Sequence, residues 1–498
     1  MNFNCRGPIV ILGAGPTGLG AAYQCERLGF SDWVLYERAA EVGGLSRSVR
    51  DRRGFTWDIG GHVAFSHYGL YSRLLDELLG PDGWIEHRRE SWIRLLGTWV
   101  PYPFQNNLHR LPPAERAECL EGLIRAALSR SGGGFEHFDD FIGRTFGPGI
   151  ARLFMRPYNF KVWAHRPEQL DAGWMADRVA VPDAARVARN VALGADDVAW
   201  GPNSTFRFPK RGGTGAVWRA LARRLPGEKL VTGCGAVAVD VDRRVVRLAD
   251  GSSRPYEVLI STLPLDRLAA MTGRRDWTEA AAGLTHSATY VIGVGIRGNA
   301  PEELATKCWM YFPEDNCPFY RVTHFSLYSP GNVPDVRREW SLMCEVSASA
   351  EKPVDDEGVV RETLDGLVAA GLIESTEQVF HTWKLRVEYG YPVPTPPRDA
   401  ILDELLPAMY ERGILSRGRF GAWRYEVGNM DHSLMQGVEA AAHVLTGSPE
   451  LTVWDPGFVN TRHPVLGWDR AFCRGPGGAD PPCFPPAVPD GPRLQRAA

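Results

Sequence analysis

The sequence predicts an α/β fold: a parallel-sheet nucleotide-binding domain, discontinuous along the chain, joined to a helical domain and an antiparallel β-sheet domain. Three observations predict it. A glycine-rich turn stands between a strand pattern and a helix pattern near the N-terminus. The stretch 105–200 then reads mostly as helix, and a long β-patterned stretch precedes further glycine-rich turns and a helical stripe near the C-terminus. At 498 residues the chain exceeds the roughly 250–300 at which single cores stop growing, so several domains are expected. We draw them at 1–85, 205–285 and 396–465 for the nucleotide-binding domain, 105–200 for the helical domain, and 86–104 with 286–395 for the β-sheet domain. The Pro- and Gly-rich stretch 474–498 reads as a disordered tail.

The run Pro8-Ile9-Val10-Ile11-Leu12 is too short for the core of a signal peptide and leads straight into a glycine turn, so it reads as a buried strand. Gly13-Ala14-Gly15-Pro16-Thr17-Gly18 is a GxGxxG placed between that strand and a helix. The first glycine permits the tight turn, the second admits a pyrophosphate, and the third lets helix and strand pack closely. The helix N-terminus faces the phosphate charge. Glu37, 19 residues after Gly18 and followed by Arg38, ends the next strand, where a carboxylate can bind ribose hydroxyls. This is a Rossmann-type dinucleotide site.

FAD, rather than NAD, is argued by two further sets of glycine-rich turns. Gly43-Gly44-Leu45-Ser46 and Asp58-Ile59-Gly60-Gly61-His62 bring backbone close to a second flat group. Near the C-terminus, Gly418-Arg419-Phe420-Gly421 and Gly428-Asn429-Met430-Asp431 precede a helical stripe of Leu434, Val438 and Ala441, with Ser433 in its first turn. A helix starting there aims its positive end at the flavin pyrimidine. Strands over Ala236-Val237-Ala238-Val239 and Val258-Leu259-Ile260 return to the same domain, and Val237 joins the cofactor set.

In the helical domain, Leu120, Leu123, Ile124, Ala127 and Leu128 follow helical spacing after Pro112-Pro113. A second helical run, Gly149 to Trp163, carries Phe154, Met155, Tyr158, Asn159 and Trp163. The β-rich region offers strands over Tyr290 to Ile296, Trp309 to Phe312 and Trp340 to Val346.

Composition narrows the function. With 44% hydrophobic and 23% charged residues the chain is an ordinary globular sequence. A net charge of −3 supplies no basic field for nucleic acid or membrane, so an anionic substrate must be held by local arginines. No apolar run approaches the roughly 18–20 residues of a membrane span. Nine cysteines without a CxxC fit reduced thiols in a cytoplasmic enzyme. The 16 Trp, 15 Tyr and 21 Phe suit a ring-lined pocket. No Ser-His-Asp set, metal cluster or acid–base carboxylate pair stands out.

Arg178 follows a helical stretch, and Arg321 sits in the aromatic strand Pro318-Phe319-Tyr320-Arg321. Two guanidinium groups on opposite walls match a diphosphate, each bidentate contact being worth about 1.5–3 kcal/mol. Tyr311, Tyr328, Tyr391 and Tyr425 lie on β or loop segments, with Asn203 and Asn429 among them, and phenols can pack flat while bonding phosphate or hydroxyls. Paired arginines and polar tyrosines argue against a greasy substrate. They weigh against one rival, an FAD-dependent oxidase or desaturase of a small molecule; a second, a non-catalytic flavin- or nucleotide-binding protein, would bind UDP with neither isomerisation nor flavin reduction.

The stretches GAGPTGLGAA, GGHVAFSHY, WVPYPFQNN, LFMRPYNFKVWA, WGPNSTFRFP, RGGTGAVW, KCWMYFPEDNCPFYR and SRGRFGAWRYEVGN resemble the UDP-galactopyranose mutase family, in its larger, eukaryotic type, over about residues 7–462. The resemblance implies an isomerase that interconverts UDP-galactopyranose and UDP-galactofuranose with no net redox. Reduced flavin N5 then acts as the nucleophile on the anomeric carbon. By the resemblance, Tyr102, Phe104, Gln105, Phe154, Tyr158, Asn159 and Trp163 hold the uridine. Arg178, Arg321, Tyr311, Tyr328, Tyr391 and Tyr425 grip the diphosphate. Asn203, Arg419, Asn429 and His62 lie beside sugar and flavin, and Arg178, Arg321, His62 and Arg419 carry catalysis. Arg89 and Ser91 help receive NADPH, the expected reductant with NADH as the other choice. Met430 departs from the family's usual Gln, a change that backbone contact with the flavin would tolerate. Another UDP-sugar remains open as the substrate, and so does a homo-oligomeric state.

Overall fold

The computed structural model describes residues 5–66, 68–129, 133–175, 179–198 and 204–460, so the expected tail lies outside the described residues. Five strands form a parallel sheet in the order Ile414–Ser416, Val258–Ser261, Ile9–Leu12, Trp33–Glu37 and Leu230–Thr232. Ile9–Leu12 is buried at every position, as a central strand covered on both faces requires. The chain enters this sheet in three separated visits, which is the discontinuity the sequence predicts.

Helix Pro16–Arg27 packs on helix Met430–Thr446 through glycine. A Cβ on Gly437 would stand 1.9 Å from the Thr17 carbonyl oxygen, and one on Gly20 would stand 2.4 Å from that of Leu434. The two helices therefore approach backbone to backbone. Residues at both their N-termini line one cavity.

Opposite the parallel sheet lies a seven-stranded sheet ordered Val379–Val393, Thr285–Arg297, Glu339–Ala348, Arg321–His324, Trp309–Tyr311, Ser91–Leu95 and Thr98–Pro101. The expected strands are present: two run longer than their apolar patterns, Thr285–Arg297 and Glu339–Ala348, and Trp309–Tyr311 ends one residue early. The antiparallel expectation needs one correction: Trp309–Tyr311 pairs parallel to Ser91–Leu95. The whole helical domain and several strands beyond it lie between these two in sequence, and a parallel pair needs such a long crossover. The outer strand Val379–Val393 exposes Lys384, Arg386 and Glu388 in alternation, and charge on an edge discourages further pairing.

The helical domain contains Pro113–Leu128, Phe138–Ile150, Arg156–Trp163 and Ala184–Leu193. Phe138–Ile150 is broken at Gly147 (φ +74°), so the run expected from Gly149 starts at Pro148; the segment before the break begins at Phe138, where the His137 ring accepts a hydrogen bond from the Asp140 N–H at 3.0 Å and caps it. Ala151–Met155 forms a π-turn within this run. Helical and β-sheet domains share one core, in which Phe141, Phe154 and Trp163 join Trp57, Phe325 and Met343. The seven described cysteines are buried and unpaired, and no described helix is long and apolar enough to cross a membrane.

A methyl group between the two glycine-packed helices has nowhere to go. Gly437→Ala should destabilise the protein by at least about 1–3 kcal/mol and reduce flavin retention. Calorimetry and the flavin absorbance of the purified variant check this; an unchanged melting temperature with full flavin content would contradict it.

Candidate active site

A cavity of about 900 Å³ separates the parallel sheet from the seven-stranded sheet. At one end lie Gly13, Gly15, Thr17, Glu37 and Arg38. Glu37 accepts the Ala14 N–H at 2.7 Å with Oε2 and the Ala39 N–H at 2.8 Å with Oε1. Its carboxylate is thereby fixed at the strand end. Gly44, Leu45 and Ser46 form the adjoining wall. Gly44 adopts φ of +53°, and a Cβ there would come within 3.0 Å of the Gly15 Cα, so the two loops touch backbone to backbone. Gly18 lies off the wall. A Cβ on it would meet the Gly13 carbonyl oxygen at 1.8 Å, which fits the packing role given to the third glycine.

Val237 needs correction. Its side chain is 54% exposed, and Gly235 and Ala236 line the cavity instead. A register shift between Ala236 and Ala238 turns the intervening side chain outward.

At the other end stand Gly61, His62, Gly428, Asn429, Met430 and Ser433. Helix Met430–Thr446 begins here without a side-chain cap on its first turn, leaving its positive end toward the cavity. Met430 also packs against the core of the parallel-sheet domain. Burial, opposed by the Glu345 charge, pulls His62 down to about 4, so its imidazole is neutral near pH 7. His62 Nδ1, Trp309 Nε1 and Thr289 Oγ1 are buried without a partner among the described residues. A fixed carboxylate, a glycine cradle, a helix N-terminus and unpaired polar atoms in series fit FAD.

The cavity floor carries Arg321, which is held in an ion pair. Nε and Nη2 each donate to Glu345 at 2.7 Å. The two residues are directly opposed across an antiparallel pair, where side chains come within reach. Glu345 also accepts from the Tyr320 hydroxyl at 2.8 Å and from the Gly61 N–H at 3.1 Å. Burial alone would lower the Arg321 pKa and raise that of Glu345. The facing charges outweigh it, holding Arg321 well above and Glu345 below its ordinary value.

Arg419 lines the same cavity, donating to the carbonyl oxygens of Gly428 at 3.1 Å and Gly390 at 3.3 Å, with its guanidinium 5.0 Å from the Tyr391 ring. Arg89 stands 4.7 Å from the Trp309 ring and 5.6 Å from that of Tyr102, and its Nε donates to the buried Ser91 hydroxyl at 3.0 Å.

Tyr311, Tyr391 and Tyr425 reach the cavity wall. Behind them an aromatic ladder runs into the helical domain. Phe104 stacks on Phe154 at 4.7 Å, Phe154 on Tyr158 at 5.2 Å, and Tyr158 meets Tyr311 edge-on at 5.4 Å. Trp163 touches Tyr425 at 4.8 Å and Tyr391 at 5.7 Å. Phe104, Gln105 and Phe154 are core residues here, the Gln105 amide donating to the Ala180 carbonyl. The Asn159 amide donates to Met155 O in its own helix at 2.7 Å.

Tyr328 sits behind the cavity, its buried hydroxyl without a partner among the described residues. It ends the short helix Phe325–Tyr328, is fully buried among Phe206, Phe208 and Phe325, and lies off the cavity wall. Arg178 and Asn203 lie outside the described residues.

Sequence reasoning missed Glu345 and Trp309. A lone carboxylate inside the otherwise apolar stretch Trp340–Val346 was the available signal, because a buried charge requires a partner.

The chain matches the family model of flavin-containing amine oxidoreductases over residues 16–445. A crystal structure of reduced UDP-galactopyranose mutase is 47% identical with a TM-score of 0.89, covering 92% of this chain and 98% of that one. Cyclohexylamine oxidase from Brevibacterium oxydans IH-35A is 15% identical with a TM-score of 0.62, covering 89% and 99%. A CLA-producing fatty acid isomerase from P. acnes is 17% identical with a TM-score of 0.59, covering 88% and 98%. These last two share the fold.

The ion pair sets its own test. Arg321→Met or Glu345→Leu alone strands a buried charge and should destabilise by about 3–5 kcal/mol, while the double variant recovers much of the loss. Denaturant unfolding of all four proteins measures the coupling, and strictly additive losses would rule the pair out.

Proposed function

The chain belongs to the flavin-containing amine oxidoreductases and to the UDP-galactopyranose mutases, and from that premise we propose that it interconverts UDP-galactopyranose and UDP-galactofuranose with no net redox change. It is an enzyme and an FAD flavoprotein. The observation that carries the proposal is the convergence of Arg321, Arg419, Tyr311, Tyr391 and Tyr425 on the cavity that also contains the dinucleotide glycine turn. An apolar tunnel would suit an amine or a fatty substrate; this cationic, phenol-lined wall suits a diphosphate.

When bound in its reduced form, FAD supplies a nucleophile at N5 for the anomeric carbon. The chain's own residues do the rest. The positive end of helix Met430–Thr446 favours negative charge on the flavin pyrimidine. Arg321, oriented by Glu345, stabilises the charge that grows on the departing diphosphate, and Arg178 shares that task by resemblance. The hydroxyls of Tyr311, Tyr391 and Tyr425 hold the diphosphate in place while the sugar rearranges. Tyr158 and Trp163, at the cavity end of the aromatic ladder, support the uridine side. Neutral His62 flanks the sugar and flavin with Asn429 and adds no further positive charge. Residues 1–85, 205–285 and 396–465 form the FAD-binding part, facing the substrate-binding helices of 105–200.

The reductant is a nicotinamide nucleotide received at Arg89, where a guanidinium already lies over Trp309 and Tyr102. A flat ring or a phosphate finds a ready surface there.

Two measurements test this reading. Dithionite-reduced enzyme should convert UDP-galactofuranose to UDP-galactopyranose, and air-oxidised enzyme should not; equal turnover by both would reject it. Arg89→Ala should raise the KM for NADPH by about tenfold or more, the loss of one charged contact. It should leave dithionite-driven turnover near normal. An unchanged KM for NADPH would move the reductant elsewhere.

A further inference from the structure

An amine and a thiol meet in the core where the substrate-side helix crosses the loop leading to Arg321. Lys161, on helix Arg156–Trp163, places Nζ 3.4 Å from Cys317 Sγ while donating to the carbonyl oxygens of Cys317 at 2.9 Å and Glu314 at 2.7 Å. Lys161 is 7% exposed and Cys317 5%. Lys161 has no salt-bridge partner among the described residues. A fully buried ammonium is costly, and two carbonyls with one thiol are a thin substitute for water or a carboxylate. The proposed reaction uses neither group.

The surroundings hold the pair in register. A Cβ on Gly366 would come within 2.8 Å of the Cys317 Cβ, so the loop rests directly on the neighbouring helix Val359–Ala369. The Ser347 hydroxyl donates to the Lys161 carbonyl, and Lys352 Nζ donates to the Ser347 carbonyl at 2.7 Å. Burial lowers Lys161 despite the opposing influence of Cys317, Asp315 and Glu314. It also pushes Lys352 down to about 8, helped by the Lys161 charge. Burial raises the Cys317 thiol, which the Lys161 charge opposes. Burial thus makes the amine easier to deprotonate, beside a thiol that needs a proton acceptor to react.

We propose that Lys161 and Cys317 form a peroxide-driven covalent switch, an N–O–S bridge from Lys161 Nζ to Cys317 Sγ. Hydrogen peroxide is the oxidant. The thiol passes its proton to the lysine, and the thiolate sulfur attacks one peroxide oxygen. The S–O bond forms, the O–O bond breaks, and hydroxide leaves, taking that proton as water. A second peroxide oxidises the amine to the hydroxylamine, releasing another water. Sulfenic acid and hydroxylamine then condense with loss of a third water. Two peroxides accept four electrons, two from sulfur and two from nitrogen. Two equivalents of a dithiol return them and restore thiol, amine and water.

The bridge would tie the helix that carries Tyr158, Asn159 and Trp163 to the loop that ends in Tyr320 and Arg321. Substrate binding draws on both elements, so fixing one to the other should suppress turnover reversibly.

The holoenzyme with oxidised flavin is treated with hydrogen peroxide, quenched with catalase, and digested without reductant. Mass spectrometry should find the Lys161 and Cys317 peptides joined, heavier than their sum by one oxygen and lighter by two hydrogens. The joined peptide should vanish after dithiothreitol and be absent from Cys317→Ser and Lys161→Arg. Wild-type turnover should fall by more than half and recover with dithiothreitol, while Cys317→Ser is unaffected by peroxide. Higher oxides of Cys317 without the joined peptide, a joined peptide lacking the oxygen, or bridging without loss of turnover would each overturn the proposal. The mass readout does not rest on the mutase reading, so failure of sugar isomerisation leaves it intact.

Discussion

Glu345 is the point on which the site is built. Its carboxylate is almost fully buried and gathers the Arg321 guanidinium, the Tyr320 hydroxyl and the Gly61 N–H. Four hydrogen bonds from these three groups satisfy a charge whose burial would otherwise cost several kcal/mol. They also join two parts of the molecule. Arg321 and Tyr320 belong to the seven-stranded sheet, whereas Gly61 precedes His62 at the flavin end of the cavity. The Arg321 guanidinium, to which we assign the diphosphate, and the backbone turn at Gly61 are thus held by the same carboxylate. Removing it frees both.

The opposite wall depends on a different constraint, the absence of side chains. Helices Pro16–Arg27 and Met430–Thr446 touch through Gly20 and Gly437, and Gly44 rests on Gly15. The first contact brings two helix N-termini to the cofactor from stretches separated by about four hundred residues. The second closes the loop over the phosphate turn. One wall is therefore set by packing and the other by charge, and the cavity runs between them.

What the sequence discloses depends on the range of the interactions. The strand, glycine turn and helix over 9–27, with Glu37, are legible because each depends on neighbours in sequence. The aromatic strands are legible too, although their ends are not, since pairing extends two of them past the apolar pattern. Arg321 was singled out but its partner was not, because their opposition depends on a register between strands. Tyr328 reads as a ligand by its phenol, yet its position is decided by Phe206 and Phe208 from another strand and by Phe325 of its own short helix. The parallel pairing of Ser91–Leu95 with Trp309–Tyr311 likewise has no local sign. Val237 fails for a subtler reason, a one-residue register shift that turns a side chain from the cavity to solvent.

Relatives at 15–17% identity that keep this fold include one named for amine oxidation and another for fatty acid isomerisation, so the architecture alone does not select the chemistry. The glycine turn and the helix N-terminus serve any bound FAD. Selection must lie in the side chains that the seven-stranded sheet and its flanking loops present to the cofactor. In this chain those are an arginine fixed by a buried carboxylate, a second arginine against Tyr391 and Tyr425, and phenols in place of a greasy lining. Such a surface repels apolar substrates by leaving charged and polar groups unpaired, a larger discrimination than any missing apolar contact provides. On the proposed function, specificity is as much refusal as recognition, and the groups that would refuse an amine or a lipid are those that a nucleotide diphosphate would satisfy.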